Sequence, residues 1–172
     1  MVEEKDLDVR SGAVDTAQHR GVPNLNSFYR RLWRYGPLII WAALIFVAST
    51  SLLSASNTAV LVKPLLWLFP YASQATLVAI HFVVRKAAHF TEYAILALLA
   101  ARAFKTSSHE LLRSHWFWVS LVLVVAYSLS DEFHQSFVPS RTASVYDSLI
   151  DSFGGLTALA LAAIRKRSEV TK

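Results

Sequence analysis

Cysteine is absent from all 172 residues of the chain. Its absence excludes disulfide bonds, thiolate nucleophiles and cysteine-ligated metals. Charged residues are absent from the run between Trp116 and Leu129. Residues 1–27 have an acidic start and no apolar stretch, so we expect a disordered tail there and no secretory signal.

Apolar residues, by contrast, make up 54% of the chain and come in long blocks. They predict an all-α integral membrane four-helix bundle, with an interfacial or re-entrant segment between the first two spans. A helix needs about 20 residues to cross the hydrocarbon, so we expect the third span to continue as helix through Gln135. The predicted spans are residues 37–53, 87–104, 116–130 and 145–164.

The predicted domain boundaries follow the same pattern. Residues 28–36 alternate cations and aromatic rings, which is typical of a headgroup anchor. An RNA- or lipid-binding patch is the alternative, but a long apolar run starts immediately afterwards. The remaining divisions are a cytoplasmic tail at 1–27, the transmembrane domain at 37–167 and a second cytoplasmic tail at 168–172.

The segment 55–86 is harder to interpret. Pro64 and Pro70 bracket a short apolar stretch that cannot span a bilayer, so we predict an interfacial or re-entrant piece. Ser73 is a suitable N-cap for a helix that starts near Gln74 and runs into the second span.

The basic residues predict the orientation. Of the 17 Lys and Arg residues, 13 fall in the two tails and the loop between spans two and three, and 4 fall on the other side. The positive-inside rule then places both termini of a multi-pass membrane protein in the cytoplasm. This distribution explains the net charge of +5 without nucleic-acid binding.

Polar residues are concentrated where the third span ends, at Ser130–Gln135. A charge at a bilayer centre costs roughly 2.5–3.5 kcal/mol on insertion scales, and less near the interface, so such groups usually have a function. By helical rise, His89, Asp131 and Asp151 all lie roughly 20 Å from the cytoplasmic boundary. Taken singly, each residue is compatible with an interhelical hydrogen bond. Together they predict a polar layer shared by three helices at the outer face.

Three stretches carry a family resemblance. Residues 85–93, 130–141 and 147–154 read RKAAHFTEY, SDEFHQSFVPSR and DSLIDSFG. They resemble the VanZ-like family of small bacterial membrane proteins, named for a member associated with teicoplanin resistance. The resemblance covers roughly residues 38–164 and implies a cell-envelope role linked to glycopeptide resistance. The family often has Asp at the position of Arg85 and Asn at that of Asp151.

The residue types favour an enzyme acting on a lipid-linked or phosphate-bearing cell-wall substrate. Lys86 and Arg141 would bind a phosphate or carboxylate. His89 or His134 would act as general acid or base. The predicted catalytic residues are His89, Glu92, Asp131, Glu132 and His134. The predicted substrate-binding residues are Lys86, Gln135, Arg141, Asp147 and Asp151.

Three alternatives stay open. The histidines and carboxylates have a spacing that permits a metal site, although Lys86 and Arg141 would oppose a cation, and we predict none. A non-catalytic binding or immunity protein would hold a wall precursor, a lipid headgroup or a glycopeptide. A transporter fits least, because no internal repeat is visible. The sequence identifies no cofactor, no oligomeric state and no individual substrate.

Overall fold

The computed structural model describes residues 25–50, 67–68, 71–139 and 144–170. All regular secondary structure within these ranges is helical, so the predicted all-α class is confirmed. Predictions that concern residues 1–24, the prolines at 64 and 70, and Arg141 lie outside the described residues. The helices are α1 (Leu25–Ser49), α2 (Gln74–Lys105), α3 (Glu110–Ser114), α4 (Trp116–Gln135) and α5 (Val145–Val170).

Helix α1 begins well before the predicted span and contains Pro37 in its interior. Proline lacks a backbone N–H and removes one helical hydrogen bond, which a membrane helix can tolerate. The chain divides by contacts into two units, residues 1–33 and 34–172. In the first unit the described residues are the opening turns of α1. The second unit contains the rest of α1 and the other helices.

Helix α2 starts where the sequence predicts. The Ser73 hydroxyl accepts a hydrogen bond from the Thr76 N–H at 3.2 Å, which confirms the predicted N-cap. The helix then runs without interruption for 32 residues. Residues 74–86, which precede the predicted second span, are therefore the first part of α2, as the helix predicted to start near Gln74 requires.

Helices α4 and α5 place the polar residues at adjoining ends. Helix α4 continues through Gln135, as predicted, so the residues from Asp131 onward occupy its last turns. Helix α5 begins at Val145 and extends past the predicted end of the fourth span.

Close packing around α2 organises the second unit. Helix α2 contacts α3, α4 and α5, and two glycines of α5 allow the closest approach. A Cβ atom at Gly154 would lie 2.4 Å from the carbonyl oxygen of Phe90, and one at Gly155 would lie 2.7 Å from Val124 Cγ1. Small residues allow membrane helices to pack backbone to backbone in this way.

Helix α1 is joined to the others by long side chains. Trp41 Nε1 donates to the carbonyl of Glu92 at 2.9 Å, and the Tyr127 hydroxyl donates to the carbonyl of Ala42 at 2.6 Å. Leu38 and Ile45 of α1 are buried in the same apolar core as Leu96 of α2.

Three helical segments are long and apolar enough to cross a membrane. Only 17% to 28% of the residues in their apolar windows are buried inside the protein. Most of their apolar surface therefore faces outward, as lipid contact would require. Helix α2 is not among the three, and it carries charged residues in its middle and last thirds. The three segments are Ser27–Ser49, Trp116–Gln135 and Val145–Ser168.

Candidate functional site

The inner face of α4 is polar. Ser120, Ser128, Asp131 and Gln135 are buried beside Val124, whereas several large apolar side chains of the same helix point outward. This distribution is the reverse of that in a water-soluble helix bundle. The exposed apolar residues of α4 are Trp118, Val122, Val125, Leu129 and Phe133.

Polar and titratable side chains of α2, α4 and α5 lie close together around the last turns of α4, and we call this group the polar layer. Ion pairs within the polar layer join α2 to α5, and Tyr93 of α2 lies close to Asp131 of α4. The depth estimate from the sequence predicts that these three helices share a polar layer. The polar layer consists of Lys86, His89, Glu92, Tyr93, Asp131, Glu132, Gln135, Asp147 and Asp151.

An ion pair lies at the edge of the polar layer. The Lys86 ammonium of α2 donates to the Asp147 carboxylate of α5, and the two side chains are 20% and 24% exposed. Lys86 also lies over the ring of Phe82, with its nitrogen 5.3 Å from the ring centroid. The predicted anion-binding lysine is thus already paired within the protein.

His89 lies between two carboxylates. Its Nδ1 is 3.8 Å from Asp151 Oδ1 and 4.0 Å from Glu92 Oε2. The Asp151 side chain is 1% exposed, His89 is 17% exposed and Glu92 is 34% exposed. A buried carboxylate thus lies behind a partly accessible imidazole, within ion-pair distance of its ring nitrogen.

Asp131 lies on the other side of Tyr93. Its Oδ2 accepts a hydrogen bond from Gln135 Nε2 at 2.9 Å, and the same amide lies 3.4 Å from the Ser49 hydroxyl of α1. The Tyr93 hydroxyl is within electrostatic range of both Asp131 and Asp151. Tyr93 is completely buried.

Glu132 connects α4 to the start of α5. Its Oε2 accepts a hydrogen bond at 2.7 Å from the backbone N–H of Ser144, the residue before α5. Ser144 in turn accepts from the N–H of Asp147 at 2.8 Å. The position of Glu132 is therefore structural as well as close to the candidate chemistry.

His134 occupies a separate position. Its ring packs against that of Phe46 in α1, with centroids 4.5 Å apart and an interplanar angle of 35°. The structure therefore places His89 and His134 in different surroundings. Of the two predicted acid–base candidates, His89 is the one with carboxylates beside its ring nitrogen.

Several buried polar atoms lack a hydrogen-bond partner among the described residues. They belong to two carboxylates of the polar layer, to the Tyr93 phenol and to His134. Buried polar groups are normally paired, so these atoms mark the polar layer as a candidate site. The atoms are Tyr93 Oη, Asp131 Oδ1, His134 Nδ1 and both carboxylate oxygens of Asp151.

The site residues predicted from the sequence include neither Tyr93 nor the buried serines of α4 and α5. Tyr93 shares a helical face with Lys86 and His89, and this spacing was the available signal. The buried serines were not identifiable, because serine is common in membrane helices. Ser128 Oγ lies 3.2 Å from Ser152 Oγ, and the Ser148 hydroxyl donates to the Ser128 carbonyl at 3.3 Å.

The site has the groups for acid–base chemistry. Within the four described ranges, no three histidine or carboxylate side chains are grouped so that they could hold a metal ion. His89 and its two carboxylate neighbours can accept, hold and release a proton.

The sequence profile of the VanZ/LLP1 family matches residues 35–166. The chain belongs to the VanZ/LLP1 family. The match runs from α1 into α5 and includes every residue of the polar layer. No curated protein and no solved structure matches the chain. The family and its apolar helices identify a VanZ-like membrane protein, and the association with glycopeptide resistance comes from the family.

Proposed function

We propose that this VanZ-like protein is a bacterial inner-membrane enzyme that transfers or hydrolyses a phosphoryl group of a lipid-linked cell-wall substrate. The observation that carries the proposal is the placement of His89, with a buried carboxylate behind it and partial exposure in front. This is the arrangement of a general acid or base that is held by one partner and accessible to another molecule.

The proposed topology has four spans, α1, α2, α4 and α5, with both termini in the cytoplasm. Helix α2 is not among the three segments that are long and apolar enough to span by composition alone, but its Lys86 and His89 are paired with carboxylates of α5 in the polar layer. An even number of spans agrees with the basic residues at both ends of the chain. The polar layer would then lie at the outer leaflet, where wall precursors are used.

The native lack of cysteine provides a direct test of the topology. Ser136→Cys, just after α4, should react with a membrane-impermeant maleimide applied to intact cells, because this exposed residue is predicted to lie outside. Ser108→Cys, in the exposed segment after α2, should react only after the cells are permeabilised. The opposite labelling pattern would invert the proposed orientation.

The activity is tested with purified protein in proteoliposomes that contain a polyprenyl pyrophosphate. We expect release of inorganic phosphate, reduced about 100-fold to 10,000-fold by His89→Asn, because this is the usual contribution of a positioned acid or base. His109→Asn is the matched control, since His109 is exposed between α2 and α3. Equal activity in wild type and His89→Asn would exclude the assigned role of His89.

A non-catalytic binding protein is the second candidate. It is favoured by the internal partners of Lys86 and Glu132, since Asp147 and the Ser144 N–H already occupy these two groups. In that case the same proteoliposomes would retain the lipid or a glycopeptide without releasing phosphate. Saturable binding that survives His89→Asn would favour this candidate over the enzyme.

A further inference from the structure

Helix α2 extends beyond the polar layer at its N-terminal end. It begins at Gln74, and the first residue of the polar layer is Lys86, so residues 74–85 precede the layer and we call them the α2 extension. At 1.5 Å per residue the extension is roughly 18 Å long. From Gln74 to Val84 it contains no Asp, Glu, Lys or Arg. It therefore lacks the charged face that a helix in water normally has.

The α2 extension exposes large apolar side chains around its circumference. Val78, Phe82, Val83 and Val84 are 51% to 67% exposed. Successive residues of a helix are rotated by about 100°, so the last three of these point in three different directions. A helix that is apolar on all sides belongs in a protein core or in a membrane. Because these side chains are exposed, a membrane is the environment that fits them.

The same apolar surface continues onto α5. Val83 and Phe90 are seven residues apart and share a face of α2. The ring centroid of Phe90 lies 6.2 Å from that of Phe153, which is 62% exposed in a segment apolar enough to cross a membrane. Exposed apolar surface thus extends from the α2 extension to a candidate span. This continuity favours lipid acyl chains as the neighbours of both.

The length of α2 places the polar layer below one edge of the hydrocarbon. Measured from Arg102 at 1.5 Å per residue, His89 lies roughly 20 Å and Val83 roughly 28 Å along the helix. The hydrocarbon is about 30 Å thick, so Val83 is close to its far edge and His89 is roughly 10 Å inside it. The uncharged polar residues of the extension all fall at or beyond that edge. They are Gln74, Thr76 and His81.

The two cations at the start of the polar layer are compatible with this depth. The Lys86 ammonium is paired with Asp147 and lies over the Phe82 ring, with its nitrogen 5.3 Å from the ring centroid. A cation–π contact is stronger where water is excluded. Arg85, the first charged residue of α2, is close enough to the far edge for its long side chain to reach the headgroups.

We infer that the polar layer lies beneath the outer lipid headgroups, with the α2 extension in lipid above it, and is reached sideways from the outer leaflet. His89 and Glu92 are 17% and 34% exposed at a level where acyl chains surround the protein. The ligand that meets them is therefore a membrane lipid, whose polar group enters from the bilayer and not from the water. The choice of the outer leaflet rests on the topology proposed above, whereas the depth does not.

Spin labelling measures the depth, because the cysteine-free chain accepts single cysteines without other changes. The full chain with Gln74→Cys, Val78→Cys or Val83→Cys is labelled with a nitroxide and reconstituted into vesicles of phosphatidylethanolamine and phosphatidylglycerol. Oxygen enters the hydrocarbon, and a water-soluble nickel chelate, present on both sides, does not. We expect the ratio of oxygen to nickel accessibility to rise from position 74 to position 83. It should there reach the ratio of Val122→Cys, the matched control, since Val122 is 67% exposed in a candidate span.

A fourth position tests the ligand. Ala88 is exposed immediately before His89 and shares a face with Glu92. A nitroxide at Ala88→Cys should lose mobility when polyprenyl pyrophosphate is added to the vesicles, and it should not respond to inorganic pyrophosphate in the buffer. The loss requires binding alone, so it is expected whether or not phosphate is released. This measurement is therefore independent of the proposed reaction.

Three results would overturn the inference. Nickel accessibility as high at Val83→Cys as at Gln74→Cys would place the polar layer in contact with water. Low accessibility to both reagents at Val83→Cys would show that a second copy of the chain, and not lipid, covers the α2 extension. A response of Ala88→Cys to inorganic pyrophosphate alone, or to neither compound, would remove a membrane lipid as the ligand. An inverted orientation would leave the depth profile unchanged and contradict only the choice of leaflet.

Discussion

The part of α2 from Lys86 to Phe104 divides into two halves that face different interiors. Its C-terminal half, from Leu96 to Phe104, packs in an apolar core that is rich in alanine. Its N-terminal half, from Lys86 to Tyr93, faces the carboxylates of α4 and α5. One continuous helix therefore serves two purposes: the apolar half holds the helices together, and the polar half places costly groups where chemistry can use them.

The two halves also differ in the interactions that their side chains make. In the apolar half, small side chains allow close approach and dispersion contacts, which are the main source of helix association in lipid. In the polar half, several buried atoms have no partner among the described residues. Functional sites commonly cost stability in this way, and the remainder of the fold compensates for it.

The largest effect on stability is expected where α5 packs against the polar half of α2, at the contact between Gly154 and Phe90. Gly154→Ala would place its Cβ against the backbone carbonyl of Phe90, which cannot move aside as a side chain can. Helices α2 and α5 would have to separate along their contact, so the cost should exceed both the ordinary overpacking cost of about 1–3 kcal/mol and the loss expected for Leu96→Ala. Thermal unfolding in detergent should show a melting temperature lower by roughly 2–4 °C for each kcal/mol.

Gly155→Ala is the matched control, because its Cβ would meet a side-chain methyl of Val124 instead of backbone. A smaller loss of melting temperature is expected for Gly155→Ala than for Gly154→Ala. The reverse order would show that the contact between Phe90 and Gly154 does not limit the approach of the two helices.

The next effect separates stability from function. Leu96→Ala in the apolar half should lower the melting temperature without touching the polar layer, since core truncations of this kind cost about 2–5 kcal/mol. Asp151→Leu should leave the melting temperature unchanged or raise it, because both carboxylate oxygens of Asp151 are buried without a hydrogen-bond partner among the described residues, and burying such a group costs free energy. The same substitution should abolish phosphate release, since His89 loses its buried partner.

A strong fall in melting temperature for Asp151→Leu, comparable with that for Leu96→Ala, would contradict the view that the polar side chains serve function and the apolar ones serve stability. It would mean that Asp151 holds the helices together, as an interhelical hydrogen bond does. Phosphate release that persists in this protein would separately remove Asp151 from the proposed mechanism.

The sequence predicts the helices well because their signals are local. Apolar run lengths, the cap at Ser73 and the continuation of α4 through Gln135 all follow from neighbouring residues. The alignment of His89 with Asp151 also follows from depth counting along each helix. The pairing of Lys86 with Asp147 and the complete burial of Tyr93 do not, because they depend on helix rotation and distance.

The smallest effect concerns the edge of the polar layer. Lys86→Gln and Asp147→Asn, measured singly and together, should give a coupling energy below about 1 kcal/mol, because both side chains keep some contact with solvent. The pair between Glu110 and Arg113 is the control, since its side chains are 73% and 52% exposed and its coupling should be smaller still. A large coupling energy between Lys86 and Asp147 that resists added salt would show that this pair stabilises the fold rather than serving the proposed site. A small one would leave Lys86 able to exchange Asp147 for a phosphate, as the proposed enzyme requires.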